Sequence, residues 1–191
     1  DFNHDGNNTI TFTFTQRITG SSTVINDTAV SVDGWKGSKM RNETLPNILA
    51  QMENKDYIKE VEKLTIKGAN DSNDCVGETT SEWGGFCDAA KDQVFNLITT
   101  NDKLFLFSYT ELLGNPQYKA YNEGTQYEYF KTQENRVVKP SPNADYGISW
   151  WTRTPVADYP NWYHEIQHDG GRNAFSANYT NSSIVPGFVI G

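Results

Sequence analysis

The feature that most constrains the fold is a strict alternation near the start of the chain, at Thr9–Thr15. Threonine alternates there with Ile10, Phe12 and Phe14, and a period of two built from β-branched and aromatic residues indicates a half-buried strand. A short apolar run, Phe188–Ile190, predicts another strand close to the other end. A fold with strands near both ends is therefore expected.

Between these strands the patterns change from helical to irregular. A helix is predicted from about Thr44, because the Thr44 hydroxyl can cap it and apolar residues at 45, 48, 49 and 52 share one face. The other predicted elements are a helical stretch at 56–60, strands at 30–32, 64–67, 104–108 and 162–166, a strand that begins at 150–151, a helical turn at 127–131 and a hairpin turn at 169–171. Together they predict a single α+β domain with antiparallel strands, two early helices and long late loops. Residues 1–8 are interpreted as a linker remnant and 68–88 as a loop insert.

The net charge of −8 argues against two classes of partner. A protein that binds nucleic acid normally presents a basic patch, and none is evident in this sequence. The same acidity disfavours adhesion to an anionic membrane, and no apolar run approaches the ~20 residues that span a bilayer. The chain opens on polar residues rather than on a signal peptide, which predicts a mature product or a domain cut from something longer.

Two cysteines, Cys75 and Cys87, lie in the polar insert. A disulfide between them would suit an exported protein, and two free thiols fit the same spacing. Both alternatives stay open from the sequence. The abundance of Asn, Thr and Ser favours an extracellular setting, on a cell surface or a virion.

A set of short motifs occurs in a definite order along the chain. They are Gly34–Arg41, Lys63–Thr65, Asp102–Ser108 with Glu111, Gly124–Phe130, Trp150–Pro155 and Val185–Ile190. In this order they resemble an uncharacterised domain family that is common in exported proteins of gut Firmicutes and in their phages. That family is similar to the C-type-lectin-like group, which includes formylglycine-generating enzymes and the hypervariable receptor-binding proteins of diversity-generating retroelements.

The resemblance implies a C-type-lectin-like α+β domain with paired termini and a ligand surface built from late loops and hairpins. It gives Trp150, Trp151 and Arg153 a structural role, in which one ring packs inward and the guanidinium holds a loop. Ligand contacts are then expected from exposed segments between Pro155 and Ile184. The candidates are Asp158, Tyr159, Asn161, Tyr163, His168, Arg172, Asn173, Phe175, Asn178, Tyr179 and Asn181.

These candidates are rich in Tyr and Asn, which is typical of antibody-like paratopes. On the predicted strand, residues 162, 164 and 166 share one face, which leaves 163, 165 and 167 on the other. We therefore expect a non-enzymatic display domain of a bacterial surface protein or phage tail that binds a protein or glycan receptor. A structural spacer domain is one alternative.

A zinc-dependent hydrolase is the other alternative. His164, Glu165 and His168 match H-E-x-x-H, which on a helix would hold zinc and activate water. Pro160 and the glycines at 170 and 171 leave too short a stretch for such a helix, and Ala occupies position 174, where metzincins place a third ligand. In the strand that the resemblance implies, residues four apart lie about 13 Å from each other. We therefore expect neither a metal site nor catalysis there.

The first residues resemble the opening of a calcium loop, with oxygens at Asp1, Asn3 and Asp5 and a glycine at position 6. The twelfth position is Phe12, where a bidentate Glu is expected. A polar turn before the first strand is the alternative. The calcium-dependent sugar signature of true C-type lectins (Glu-Pro-Asn or Gln-Pro-Asp) is absent, and so is the late cysteine pair of formylglycine-generating enzymes.

Overall fold

The computed structural model describes residues 1–2, 4–6, 8–18, 23–29, 33–66, 97–114, 123–156 and 161–191. Within these ranges the chain has an α+β architecture of mainly antiparallel sheets and a few short helices. The strand predicted at 30–32, the insert at 68–88 and both cysteines lie outside the described residues. No helix in the described ranges has the length and apolar character needed to cross a membrane.

The C-terminal strand organises the largest described sheet. Strand β9 (Pro186–Ile190) pairs antiparallel with β1 (Ile10–Thr13), so the two end strands of the domain lie side by side. Strand β9 also pairs antiparallel with β2 (Ile58–Lys59) and with β5 (Leu104–Leu106). The strands predicted near both ends, and their pairing, are thus confirmed.

Two smaller sheets contain the other described strands. In one, β3 (Val61–Ile66) pairs antiparallel with β4 (Leu97–Asp102). In the other, β6 (Trp150–Pro155), β7 (Trp162–Ile166) and β8 (Arg172–Ser176) lie in that order and are antiparallel. The bounds of β7 are those predicted, and the turn predicted at 169–171 joins β7 to β8.

Short helices connect the strands. They are α1 (Gly34–Gly37), a π-helix (Met40–Thr44), α2 (Leu45–Gln51), α3 (Tyr109–Leu113) and 3₁₀ turns at Lys55–Tyr57, Glu128–Lys131 and Glu134–Arg136. Helix α2 confirms the helix predicted from about Thr44, but Thr44 makes no cap, because the π-helix runs directly into α2 and Thr44 has helical backbone angles. The helical stretch predicted at 56–60 is wrong, since the 3₁₀ turn ends at Tyr57 and β2 follows it. Helix α3 begins at a capping box, in which Ser108 Oγ accepts from the Glu111 backbone and the Glu111 carboxylate accepts from the Ser108 backbone. This cap ends the predicted strand at 104–108 early, at Leu106.

The core consists of two apolar clusters, and the neighbouring residues Trp150 and Trp151 each enter a different one. Successive side chains of a strand point to opposite faces, so β6 has core on both sides. Trp150 donates to the carbonyl oxygen of Arg136 at 3.0 Å, and Trp151 donates to that of Thr23 at 2.7 Å. The structure therefore buries both rings, not one.

Arg153 is a polar centre between the sheets. Its guanidinium is fully buried and donates to Glu111 Oε2 at 2.6 Å. It also donates to the backbone carbonyl oxygens of Leu106, Leu64 and Glu123, at 2.8, 2.9 and 3.1 Å. Burial acts to raise the pKa of Glu111, but the adjacent cations outweigh it and hold that pKa below its ordinary value. These bonds join β6 to β3, β5 and α3.

The first residues, predicted as a linker remnant, pack against the domain. The Asp5 carboxylate accepts hydrogen bonds from Lys63, Tyr127 and Thr11. The ring of His4 stacks on that of Tyr127, with centroids 3.5 Å apart. Because the Lys63 ammonium is buried, Asp5 supplies a negative charge that its burial requires.

Candidate functional site

Most of the candidate contact residues lie on the β7–β8 hairpin or directly after it. The register pairs Trp162 with Ser176 at one end and Ile166 with Arg172 at the other. At about 3.3 Å per residue, four steps separate these ends by roughly 13 Å. The candidates therefore fall into two groups, one near the turn and one at the open end, where β7 begins and β8 ends.

The turn end is anchored to the body of the domain. Gly170 has a left-handed φ of 82°, and a Cβ there would lie 2.2 Å from the carbonyl oxygen of Gln133. His168 and Arg172 are exposed beside this turn, and Arg172 donates to the Tyr109 hydroxyl at 3.0 Å. Among the candidates, the turn end thus offers only the separate polar side chains of His168 and Arg172.

The open end carries three aromatic rings in nearly parallel planes. The centroids of Trp162 and Phe175 are 6.5 Å apart at 16°, and those of Phe175 and Tyr179 are 4.1 Å apart at 12°. Trp162 is 39% exposed, whereas the other two rings are partly buried against the core. Three exposed amides accompany the rings, those of Asn161, Asn178 and Asn181. We call these six residues the aromatic–amide surface.

Hydrogen bonds within the segment after β8 fix part of this surface. The Tyr179 backbone N–H donates to the Ser176 carbonyl oxygen at 2.8 Å. Ser176 Oγ donates to Asn178 Oδ1 at 2.7 Å, and Asn181 Nδ2 donates to the Tyr179 hydroxyl at 3.2 Å. Because these groups are already ordered, the protein loses less conformational entropy when a ligand binds to them.

Tyr163 does not belong to the aromatic–amide surface. It is predicted as an exposed contact, but its side chain is fully buried. Strand β7 is the central strand of its sheet and has buried residues on both faces, so the predicted division into an inner and an outer face is wrong for 163–166. Asn173 is partly buried, and Asp158 and Tyr159 lie outside the described residues.

The H-E-x-x-H sequence begins on strand β7, as predicted, and continues past its end at Ile166, and its side chains diverge. His164 pairs with Ala174 and Glu165 pairs with Asn173, so the first two motif residues point to opposite faces of the sheet. His168 follows the end of β7 and is exposed. Among the residues that the structure describes, no group of three or more His, Cys, Asp or Glu is arranged to hold a metal ion. The strand geometry does not bring the three motif side chains together.

The carboxylates predicted to open a calcium loop face different partners. The Asp1 carboxylate accepts from the backbone N–H groups of Glu128 and Tyr129, at 2.6 and 3.3 Å. The Asp5 carboxylate is held by Lys63. Asn3, the remaining predicted ligand, lies outside the described residues. A calcium ion at Asp5 would therefore have to displace a buried ammonium group.

Burial shifts the pKa values of two neighbouring residues of β7 in opposite directions. Burial and the nearby Arg172 lower the pKa of His164 to about 3. Burial raises the pKa of Glu165 to about 7, against the opposing hydrogen bond from Ser182. Glu165 is therefore protonated over part of the pH range in which a free carboxyl group is ionised.

The Glu165→Gln variant isolates the effect of that carboxyl group on stability. The folded state holds the Glu165 proton up to about pH 7, whereas the unfolded chain releases it near pH 4.5. The wild-type fold therefore loses stability as pH rises from 4.5 to 7, and the variant amide cannot ionise. We expect urea unfolding to show equal stabilities near pH 4 and a variant more stable by up to about 3 kcal/mol above pH 7.

The pH profile of the wild type alone does not test this prediction. The lowered pKa of His164 has the opposite effect, since it costs stability as pH falls below 6.5. Between pH 4.5 and 6.5 the two contributions offset each other, so the difference between wild type and Glu165→Gln is the quantity to measure. A difference that stays constant from pH 4 to pH 8 would show that the folded protein does not retain this proton.

One family profile covers this fold from end to end. A family described as a domain of unknown function, DUF6273, matches residues 11–190, which run from β1 to β9. The chain belongs to the DUF6273 family. No curated protein and no solved structure matches it. The paired end strands and the late hairpin therefore lie within the region that defines the DUF6273 domain.

Trp162 is the member of the aromatic–amide surface that is not predicted from the sequence of this DUF6273 domain. The alternation along β7 places it on the same face as His164, and it is not among the candidates. As the first residue of the strand, however, it lies where the core ends, and its ring remains partly exposed. Its position directly after Pro160 and Asn161, at a loop boundary, is the signal that could have identified it.

Proposed function

We propose that this DUF6273 domain is a non-enzymatic binding domain that recognises a protein or glycan receptor on a cell surface. The aromatic–amide surface is the observation that supports this proposal. Trp162, with the partly exposed Phe175 and Tyr179, supplies contact area with little loss of conformational freedom. The three amides add short polar groups whose hydrogen bonds adapt to the partner.

The proposal includes the setting of the domain. We infer a C-type-lectin-like arrangement, carried outside the cell on a bacterial surface protein or a phage tail. The pairing of β1 with β9 and the late β7–β8 hairpin support it, because both fit a rigid body that presents the open end of the hairpin and the segment after it. Diversification of these segments by a retroelement would then change the receptor without changing the core. The net charge of −8 argues against nucleic acid as the partner.

A binding screen of the purified domain against glycan arrays and bacterial cells tests the proposal. We expect wild type to be retained and the double variant Trp162→Ala/Tyr179→Ala to lose affinity on the order of tenfold or more. Each aromatic contact contributes about 0.5–1.5 kcal/mol beyond its buried area, and tenfold in affinity corresponds to about 1.4 kcal/mol.

Tyr146→Ala is the matched control for this screen. Tyr146 is 62% exposed, and it lies near the turn end of the hairpin, because a Cβ at the following Gly147 would meet the His168 carbonyl oxygen at 1.9 Å. We expect this variant to bind like wild type. Thermal unfolding of all the proteins separates lost contacts from lost folding. Equal retention of wild type and the folded double variant would contradict the proposed site.

A further inference from the structure

A polar hollow lies next to the π-helix. Its volume is about 380 Å³, and seven of its lining side chains carry hydrogen-bonding groups: Asn26, Asp27, Thr28, Ser38, Lys39, Asn42 and Glu43. The volume falls within the range of ligand sites in proteins, about 300–1,000 Å³. Sites for drug-like ligands are mainly apolar, whereas this lining is polar. The hollow therefore suits a ligand rich in hydroxyl groups.

The hollow adjoins the aromatic–amide surface through the loop at 23–29. The backbone N–H groups of Ile25 and Asn26 donate to the carbonyl oxygen of Ala177, at 2.9 and 3.0 Å. Ala177 directly precedes Asn178 of the aromatic–amide surface. On the side of the hollow, Asn26 Oδ1 accepts from the Lys39 backbone N–H at 2.8 Å. The loop that lines the hollow is therefore bonded directly to the residue that precedes Asn178 of the aromatic–amide surface.

An ion pair on the wall of the hollow presents both donors and acceptors. Lys39 Nζ lies 2.6 Å from each carboxylate oxygen of Asp27, and both side chains are solvent-accessible. An ammonium has three donors and a carboxylate about four acceptor positions, so the pair does not exhaust either group. Glu43 adds acceptors, and the Thr28 hydroxyl both donates and accepts. Adjacent sugar hydroxyls also donate and accept hydrogen bonds, so they can pair with both kinds of group in the hollow.

The negative charge of the hollow favours neutral carbohydrates over anionic ones. Asp27 and Glu43 place two carboxylates in the hollow against the one ammonium of Lys39. The chain as a whole carries a net charge of −8. A sialylated or sulfated glycan would be repelled by this field. A neutral glycan meets no such barrier.

We propose that the hollow is a subsite for a neutral oligosaccharide of hexose or N-acetylhexosamine units, whose neighbouring unit rests on the aromatic–amide surface. This inference depends on the proposed function and narrows the receptor to a glycan. A sugar ring has a face of C–H groups that packs on aromatic rings, and hydroxyls that need polar partners. The two adjacent subsites meet these two needs separately.

An array of neutral oligosaccharides of increasing length, built from glucose, galactose, mannose or N-acetylglucosamine, tests the inference beside sialylated and sulfated counterparts. We expect wild type to bind neutral probes and Asp27→Ala/Glu43→Ala to lose on the order of tenfold in affinity, because hydrogen bonds to charged groups contribute about 1.5–3 kcal/mol. Glu128→Ala is the matched control, since Glu128 is exposed and pairs with Lys131 at 2.6 Å. It should bind like wild type.

The other outcomes distinguish this inference from the proposed function. One such outcome is binding of neutral probes that requires Trp162 but neither Asp27 nor Glu43. That result would overturn the proposed subsite and leave the proposed function standing. Retention on cells that needs Trp162, with no neutral probe bound, would indicate a protein receptor and overturn the inference alone. Preference for sialylated or sulfated probes would also overturn it. Failure to bind any cell or glycan would overturn both.

Discussion

The Arg153→Met variant is expected to lose about 3–5 kcal/mol of unfolding free energy, a large part of the stability of an ordinary domain. The substitution leaves the buried Glu111 carboxylate with Lys63 as its cation at 3.3 Å. It also removes the donor from three backbone carbonyl oxygens that the guanidinium now satisfies. Urea unfolding followed by circular dichroism measures the loss.

Two further variants show whether charge or geometry is responsible. Arg153→Lys keeps the positive charge but not the planar fork of five donors, so we expect an intermediate loss. Lys131→Ala removes a cation from an exposed pair with Glu128 and should change stability by less than about 0.5 kcal/mol. An Arg153→Met protein as stable as Lys131→Ala would refute the central role of the buried guanidinium.

Trp151→Ala is expected to cost about 3–5 kcal/mol, because it removes a fully buried ring from the cluster that contains Trp35 and Tyr163. It also removes the indole N–H that holds the carbonyl oxygen of Thr23, at the start of the loop beside the hollow. Thermal and urea unfolding measure the effect.

The same substitution at an exposed tryptophan is the control. Trp162→Ala should cost about 1 kcal/mol or less, because its ring is only partly packed. Trp151→Ala should therefore cause the larger loss of stability, and Trp162→Ala should cause the larger loss of receptor affinity. Equal stability losses in the two variants would show that Trp162 belongs to the core.

The sequence predicts those strands in which β-branched and aromatic residues follow a clear period and end at turn residues. Strands β1 and β9 are examples, and the bounds of β7 agree with the prediction because Asn161 and the turn at 169–171 delimit it. The paired ends follow from the family resemblance rather than from any local pattern. Helix α3 is missed, although the capping box of Ser108 and Glu111 is visible in the sequence.

The remaining features depend on contacts between residues distant in the chain. The alternation along β7 predicts that Tyr163 lies on an exposed outer face. However, β7 is the central strand of its sheet, and both of its faces are buried. The hollow forms where the loop carrying Asp27 meets the π-helix carrying Glu43. Neither segment has a motif that indicates a site, so only the tertiary structure brings these side chains together.

The most direct test of the proposed surface is a ¹H–¹⁵N spectrum of the indole N–H groups, recorded while the receptor retained in the binding screen is added. The Trp162 signal, assigned by its loss in Trp162→Ala, should shift or broaden. The signals of Trp35, Trp150 and Trp151, whose N–H groups are hydrogen-bonded within the fold, should stay in place. A Trp162 signal that does not move at saturating receptor would contradict receptor binding through this surface.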